Sequence, residues 1–371
     1  MFNFLRRLDN LFIRLAIFAI NPKKSKDIQS GEVREILCIK LWGLGNLIVI
    51  YPLIEKLKAR FPQARITFIT FDLNRGFLDD DQSLDRVVYF RFTVNFFRII
   101  RQVAELLKEL RALKIDLVIN FETFNNASAV FAYLTKAPVR VGINNRYENF
   151  FYTHSIQRDP QAHITEVFSD LVRTLGLKFS YAYYSFPVKE QEQQAVERQI
   201  KSRPYLCFHP GTSGNFTGKR SREEYFAKLA NLFIEVCCIP VYFTGSYKET
   251  PIIERIIEKV NDKSKVFNIA GTFTIWELVE LMRGCRLFVA GDTGPTHLAA
   301  SLNVNTVVMF GPSSPKRYSP LNQNSIVFYK GCSCSPCLNP DVLTQTCRKK
   351  YECLDFDVQD NFAQISKRFL D

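Results

Sequence analysis

Short apolar runs rich in β-branched and aromatic residues alternate with stretches of helical periodicity, and the pattern plays through twice. In the first half, EILCIK (35–40), RITFIT (65–70), RVVYF (86–90) and DLVIN (116–120) read as buried strands. Helical segments near 47–60, 96–113 and 125–135 separate them. In the second half the strands are YLCFH (205–209), PVYFTG (240–245), VFNIAG (266–271), RLFVAG (286–291) and NTVVMFG (305–311), with helices near 222–236, 250–260, 274–283 and 295–302. Such alternation is the signature of a parallel sheet covered by helices on both faces. At 371 residues the chain is too long for one ordinary core, and the two series predict two domains. The expected fold class is α/β, with two Rossmann-like domains facing one another across a cleft. The join is placed in the polar stretch around 186–203.

The expected division is an amphipathic segment over 1–30, a first domain over 31–185, a second over 186–345, and a tail over 346–371. The tail is expected to be helical and to return to the N-terminal domain. In the opening segment Phe4, Leu8, Leu11, Leu15 and Phe18 form one apolar face among Arg6, Arg7, Arg14, Lys23, Lys24 and Lys26. Asp9, Asn10 and Arg14 make it too polar to span a bilayer, and no cleavage site follows a clean apolar core. Two readings stand: a helix over residues 1–22 lying on anionic lipid, or a helix docked on the domain. The net charge of +12 favours an anionic partner, such as a phosphate-bearing ligand, nucleic acid or a membrane surface. Of the ten cysteines, Cys38, Cys207, Cys237, Cys238 and Cys285 sit in apolar runs and indicate a reducing compartment. The other five crowd into 332–353.

Ligands of open α/β sheets bind beyond the carboxyl ends of the strands. Three stretches of the second half put suitable groups there. In HPGTSGNFTGKRSREEYF (209–226), loop amides and Lys219 suit a phosphate; an ordinary polar loop is the bland alternative. In TGSYKETP (244–251), Glu249 is placed to accept from ribose hydroxyls or to serve as a helix-start acid. In AGDTGPTHLAAS (290–301), a strand ends at a tight turn through Asp292, and Pro295 opens a helix where its missing N–H costs nothing. Thr293 and Gly294 then aim amides and the helix dipole at an anion, with His297 one turn further on.

The run GDTGPTHLAASLNVNTVVMFGPSSP resembles the signature of the lipopolysaccharide heptosyltransferase family, inverting nucleotide-sugar glycosyltransferases of the GT-B fold. KRSREEYF is similar to that family's Lys-Arg-Trp-Pro stretch, with Ser221 and Arg222 in place of Trp-Pro. GSYKE, NIAG, FTIWELVELM, AHITEVFSDLVRTLGL and LWGLGNLIVIYPLIEKLKARFPQARITFIT extend the likeness, in order, over most of residues 36–315. The resemblance implies an ADP-heptose donor held by the second domain. It places Lys219, Thr293, Gly294 and His297 on the diphosphate and Glu249 on the ribose, with Asp292 ordering the loop or meeting the sugar. It implies no cofactor and no metal, since cationic groups and helix termini neutralise the leaving diphosphate. Asp79-Asp80-Asp81 and Asp355-Phe356-Asp357 read as surface acids.

KLWGLGNLIVIYP (40–52) has two glycines of a dinucleotide fingerprint, but Ile48 stands where the third belongs, so a nicotinamide oxidoreductase is not favoured. In the resembling family this loop reads Leu-Gly-Asp, and the aspartate is the presumed general base. Here the position is Asn46, whose amide can orient an acceptor but cannot take its proton. Glu122, in NFETFNN, stands at the same sheet edge, either as a substitute base or as a cap of the next helix; His163 is a second candidate base. The cluster CSCSPCLNPDVLTQTCRKKYEC (332–353) has thiolate spacing that can hold zinc, without the paired Cys-x-x-Cys arrangement. The combined expectation is a cytoplasmic glycosyltransferase, peripheral on the inner face of the membrane, moving a heptose onto a lipopolysaccharide-type glycolipid. Its partners are then a nucleotide sugar, a glycolipid and a lipid surface, not nucleic acid. A catalytically silent member that binds nucleotide sugar or glycolipid is the rival.

Overall fold

The computed structural model describes residues 33–79, 83–91, 95–123, 126–144, 150–212, 218–338, 347 and 349–370. The amphipathic N-terminal segment lies outside them. The chain divides into two compact units, with the boundary between Ala182 and Tyr183.

In the first unit six strands, β1 (Glu35–Ile39), β2 (Arg65–Phe71), β3 (Arg86–Phe90), β4 (Leu117–Asn120), β5 (Val139–Asn144) and β6 (His154–Gln157), form one sheet in the order β3-β2-β1-β4-β5-β6. Every neighbouring pair is parallel. The second unit repeats the plan with β7 (Leu206–His209), β8 (Val241–Phe243), β9 (Val266–Asn268), β10 (Leu287–Gly291), β11 (Thr306–Phe310) and β12 (Ser325–Tyr329), ordered β12-β11-β10-β7-β8-β9 and again parallel. The continuous apolar runs are explained by this: Ile36, Leu37 and Cys38 in β1, and Leu287, Phe288 and Val289 in β10, are fully buried because helices cover both faces.

Each order reverses direction once, between β1 and β4 and between β7 and β10. Loops leaving two such strands diverge and open a crevice at the carboxyl edge, which is where open α/β sheets take their ligands. GLGN follows β1 and DTGP follows β10, so both stretches stand at a switch point.

Three strands, β5, β6 and β12, were not anticipated from the sequence. VRVGIN in β5 carries an arginine in a fully buried strand, which breaks the apolar signal. The Arg140 guanidinium is accommodated by the carbonyls of Phe151 (2.7 Å) and Ala137 (2.5 Å), so the buried donors are met. Gly142 is needed because the Tyr152 ring crosses the strand: a Cβ there would come 2.1 Å from it. β6 (HSIQ) is a partly exposed edge strand with a weak pattern, whereas the apolar run SIVFY of β12 carries a strand signal at the other sheet's edge.

The tail also departs from expectation. Its helix, Val358–Phe369, packs on the second unit's own helix Glu223–Cys237 instead of returning to the first domain. Val358, Phe362, Ile365 and Phe369 fall on one face and join that unit's core; Phe362 meets Phe233 edge-on at 5.1 Å. Asn361 donates to the Tyr225 hydroxyl at 2.8 Å. Ile365 is fully buried. Ile365→Ala should therefore destabilise the second unit by about 2–4 kcal/mol, seen as an earlier denaturant transition. An unchanged midpoint would mean that this packing contributes nothing.

Candidate functional site

At the first switch point the loop leaving β1 is held by a carboxylate. Glu122 Oε1 accepts from the amides of Leu41 (2.5 Å) and Trp42 (3.2 Å), and Oε2 lies 3.2 Å from Lys40 Nζ. Both side chains of the ion pair are 2% exposed. Asn120 secures the other end: its Oδ1 accepts from the Glu122 amide, and its Nδ2 donates to Ser128 and to the Tyr152 hydroxyl. Glu122 is thus a clamp on the β1 loop. Its oxygens are held by three donors at that loop.

Asn46 is the third residue of helix Leu44–Arg60, half-buried, with no acid in its first turn. Gly43 precedes it at φ +89, a left-handed conformation that glycine adopts without strain, and this turn brings the Asn46 amide back over the loop. His163, the other candidate base, caps helix Ile164–Arg173. Its Nδ1 accepts from the Thr165 amide at 3.3 Å and lies 2.8 Å from the Thr165 hydroxyl. Nδ1 is thereby held as a cap acceptor.

At the second switch point, Lys219 Nζ lies 2.5 Å from Asp292 Oδ2, with side chains 17% and 8% exposed. Burial has the largest effect on Asp292 and pushes its carboxyl up. Lys219, the Ser313 hydroxyl and the His297 ring outweigh it and hold the group below the usual carboxylate range. Asp292 is therefore an anion at neutral pH that fixes the ammonium of Lys219 in place. Thr293 is the N-cap of helix Gly294–Ser301 but makes no side-chain cap bond; its hydroxyl faces that of Thr296, which donates to the Gly291 carbonyl at 2.7 Å. His297 is buried one turn in. The helix start, the lysine and the histidine come together as sequence reasoning expects.

Glu249 stands over the neighbouring β7 loop. Its Oε2 accepts from the Ser246 amide (2.7 Å) and hydroxyl (2.8 Å), a capping box. The carboxylate also lies so close to Gly211 that a Cβ there would meet Oε1 at 2.0 Å, which accounts for that glycine. Beneath it, burial holds the His209 ring below its ordinary value, against the pull of Glu249 and Thr244. Glu249 is a helix-start acid, as the bland alternative had it, and it also borders the β7 loop.

The loop after β11 was passed over at the level of sequence. It contributes Ser313 beside Asp292, and the Tyr318 ring, 6.0 Å from Lys219 Nζ. The signal was present in GPSSPKRY, which follows a buried strand at the same edge. The five late cysteines gather: after burial itself, Cys332, Cys337, Cys347 and Cys334 push Cys353 up to about 11. All are free thiols, and among the described residues no three His, Cys, Asp or Glu side chains are grouped to hold a metal ion. Asp79, Asp355 and Asp357 are exposed, and Asp357 caps the last helix.

Two parallel-sheet α/β units in one chain, each with a cation–carboxylate pair at its switch point, are the architecture of the GT-B fold. The sequence model of glycosyltransferase family 9 (heptosyltransferase) matches residues 103–346, and the chain belongs to that family. It is 24% identical over 318 residues to lipooligosaccharide heptosyltransferase 2 of Campylobacter jejuni, covering 84% of this chain and 90% of that protein. The corresponding Haemophilus influenzae protein is 32% identical over 141 residues, 38% and 39% of the two chains. Among solved structures, Escherichia coli ADP-heptose lps heptosyltransferase II superposes with a TM-score of 0.72 at 22% identity, covering 91% of this chain and 98% of that one. A family 9 glycosyl transferase from Veillonella parvula gives 0.71 at 23%, covering 82% and 88%.

Removing one partner of a buried ion pair leaves an uncompensated charge. Glu122→Gln should cost about 3–5 kcal/mol of stability, and Lys40→Met in the same chain should recover a large part. Denaturant unfolding of the two single variants and the double variant measures this; strictly additive effects would show that the two groups are not coupled.

Proposed function

We propose that the chain transfers a heptose from ADP-heptose to a lipopolysaccharide- or lipooligosaccharide-type acceptor with inversion at the anomeric carbon. The reading rests on family membership, on relatives named as heptosyltransferases, and on one observation above all. A lysine fixed by a buried aspartate faces the start of helix Gly294–Ser301 at a topological switch point. Together these make a preorganised anion site.

In this reading Lys219, Thr293, Gly294 and His297 hold the diphosphate, Glu249 addresses the ribose, and Asp292 keeps the ammonium in position. The acceptor hydroxyl oxygen attacks the anomeric carbon from the face opposite the diphosphate. The bond from carbon to phosphate oxygen breaks, and the diphosphate leaves with the electron pair. Asn46 orients the acceptor, on a loop that Lys40 and Glu122 keep rigid. With Glu122 held by three donors and His163 Nδ1 by Thr165, no carboxylate among the described residues is assigned the place of the resembling family's aspartate, and in this reading the acceptor proton passes to solvent. A positioned base contributes roughly 10²–10⁴-fold, so the result is a slow transferase.

ADP release in the presence of ADP-heptose and a glycolipid acceptor tests the activity. Lys219→Ala should weaken donor binding by about 1–3 kcal/mol, while Asn46→Asp should raise turnover at least tenfold by restoring a base. Donor binding without release in both the parent and the Asn46→Asp chain would favour the silent rival, for which Asn46 itself speaks.

We also propose that residues 1–22 seat the enzyme on anionic lipid at the inner face of the cytoplasmic membrane. The apolar face and basic flank of the sequence support this. Among the described residues no helix is long and apolar enough to cross a membrane. A chain lacking residues 1–22 should no longer sediment with vesicles containing phosphatidylglycerol, and full-length binding should fall with salt. Retained, salt-insensitive binding would count against the segment.

A further inference from the structure

The loop after β11 holds a cation that the scheme above leaves without a task. Arg317 is 7% exposed, yet its Nε and Nη2 have no hydrogen-bond partner, and no carboxylate pairs with it among the described residues. The guanidinium carbon lies 5.2 Å from the ring of Tyr318. A guanidinium taken out of water without an anion is costly, because burial removes its hydration and puts nothing in its place. In this same unit Lys219 has Asp292 for company. Arg317 has no such partner among the described residues, which is the condition of a group kept for an anion that arrives.

Strand order says which anion. Along the carboxyl edge Glu249 follows β8, Lys219 follows β7, Asp292 and the start of helix Gly294–Ser301 follow β10, and Arg317 follows β11. These four strands are consecutive neighbours in the sheet, about 4.8 Å apart. A nucleoside diphosphate sugar laid along the edge with its ribose at Glu249 carries its diphosphate across β7 and β10. Its distal phosphate and sugar then point toward β11. The β11 loop also reaches that pair, through Ser313 beside Asp292 and Tyr318 beside Lys219.

We propose that Arg317 donates to the phosphate nearer the sugar, the one that keeps the electron pair when the glycosidic carbon–oxygen bond breaks. The assignment rests on the donor-site reading given above. As the acceptor oxygen bonds to the anomeric carbon and sheds its proton to solvent, charge builds on that phosphate. A guanidinium is never deprotonated in a protein, so Arg317 supplies charge and donors without exchanging a proton.

Calorimetry with pyrophosphate, ADP and AMP as probes separates the possibilities. The variants are Arg317→Met, which keeps bulk without charge, and Arg317→Lys, which keeps charge without the fork. Arg317→Met should weaken pyrophosphate and ADP about 10- to 100-fold and leave AMP unchanged, with Arg317→Lys recovering part of the loss. The unliganded Arg317→Met chain should melt no lower than the parent, because an unpaired buried cation contributes nothing to the empty fold. Equal loss for AMP and ADP, or a lowered melting temperature without ligand, would make Arg317 a structural residue and overturn the proposal. A parent chain that binds ADP and pyrophosphate beside an Arg317→Met chain that binds them equally well overturns this assignment alone. A parent that binds none of the three removes the donor site as well.

Discussion

An ammonium held against a buried carboxylate, once in each unit, governs what the two crevices can do. Parallel sheets end in loops, and loops at a switch point have few neighbours to fix them. In the first unit Glu122 collects Lys40 Nζ and two successive amides, so the chain leaving β1 has little freedom before Gly43 turns it into a helix. In the second unit the direction of control is reversed: Asp292 is the buried anion and the lysine of the adjacent loop is the group being positioned. One pair fixes backbone; the other fixes charge. That difference matches the tasks proposed for the units, since an acceptor hydroxyl needs geometry and a departing diphosphate needs a cation that has no reorganising left to do.

The central strands were legible because burial on both faces forces an unbroken apolar run, and β1, β2, β7, β8, β10 and β11 are read off directly. The edge strand β6 was not, since HSIQ alternates and is mostly polar; the apolar run SIVFY of β12 was there to be read. β5 failed for another reason: Arg140 looks like a surface residue until its carbonyl partners are seen. At the site, residues tied to a local motif came out where expected. Thr293, Gly294 and His297 follow a strand and open a helix, and that short-range grammar survives in the fold. Roles set by long-range partners were invisible. Glu122 reaches back some eighty positions to Lys40–Trp42, and no periodicity encodes such a contact. Its appearance as a free acid at a sheet edge was a consequence of reading one strand at a time.

Asn46 illustrates the limit from the other side. The sequence showed that an acid is missing, and the structure shows the loop nonetheless built with care: a left-handed glycine, a clamped backbone, and Trp42 edge-on against Phe71 at 4.5 Å. A scaffold this constrained around an amide is suited to holding a hydroxyl in one orientation. Orientation is the part of catalysis that survives loss of a base.

The seating of helix Val358–Phe369 on the second unit's core has a bearing on synthesis. The first unit is complete in sequence by residue 182 and can fold while the rest is being made. The second unit lacks part of its interior until Phe362 and Ile365 have left the ribosome, because Phe362 packs on Phe233 and Ile365 belongs to that unit's core. A pause or premature stop shortly before residue 358 would therefore release a chain with one finished half and one half whose apolar face is open. Quality control would meet this protein through its second unit.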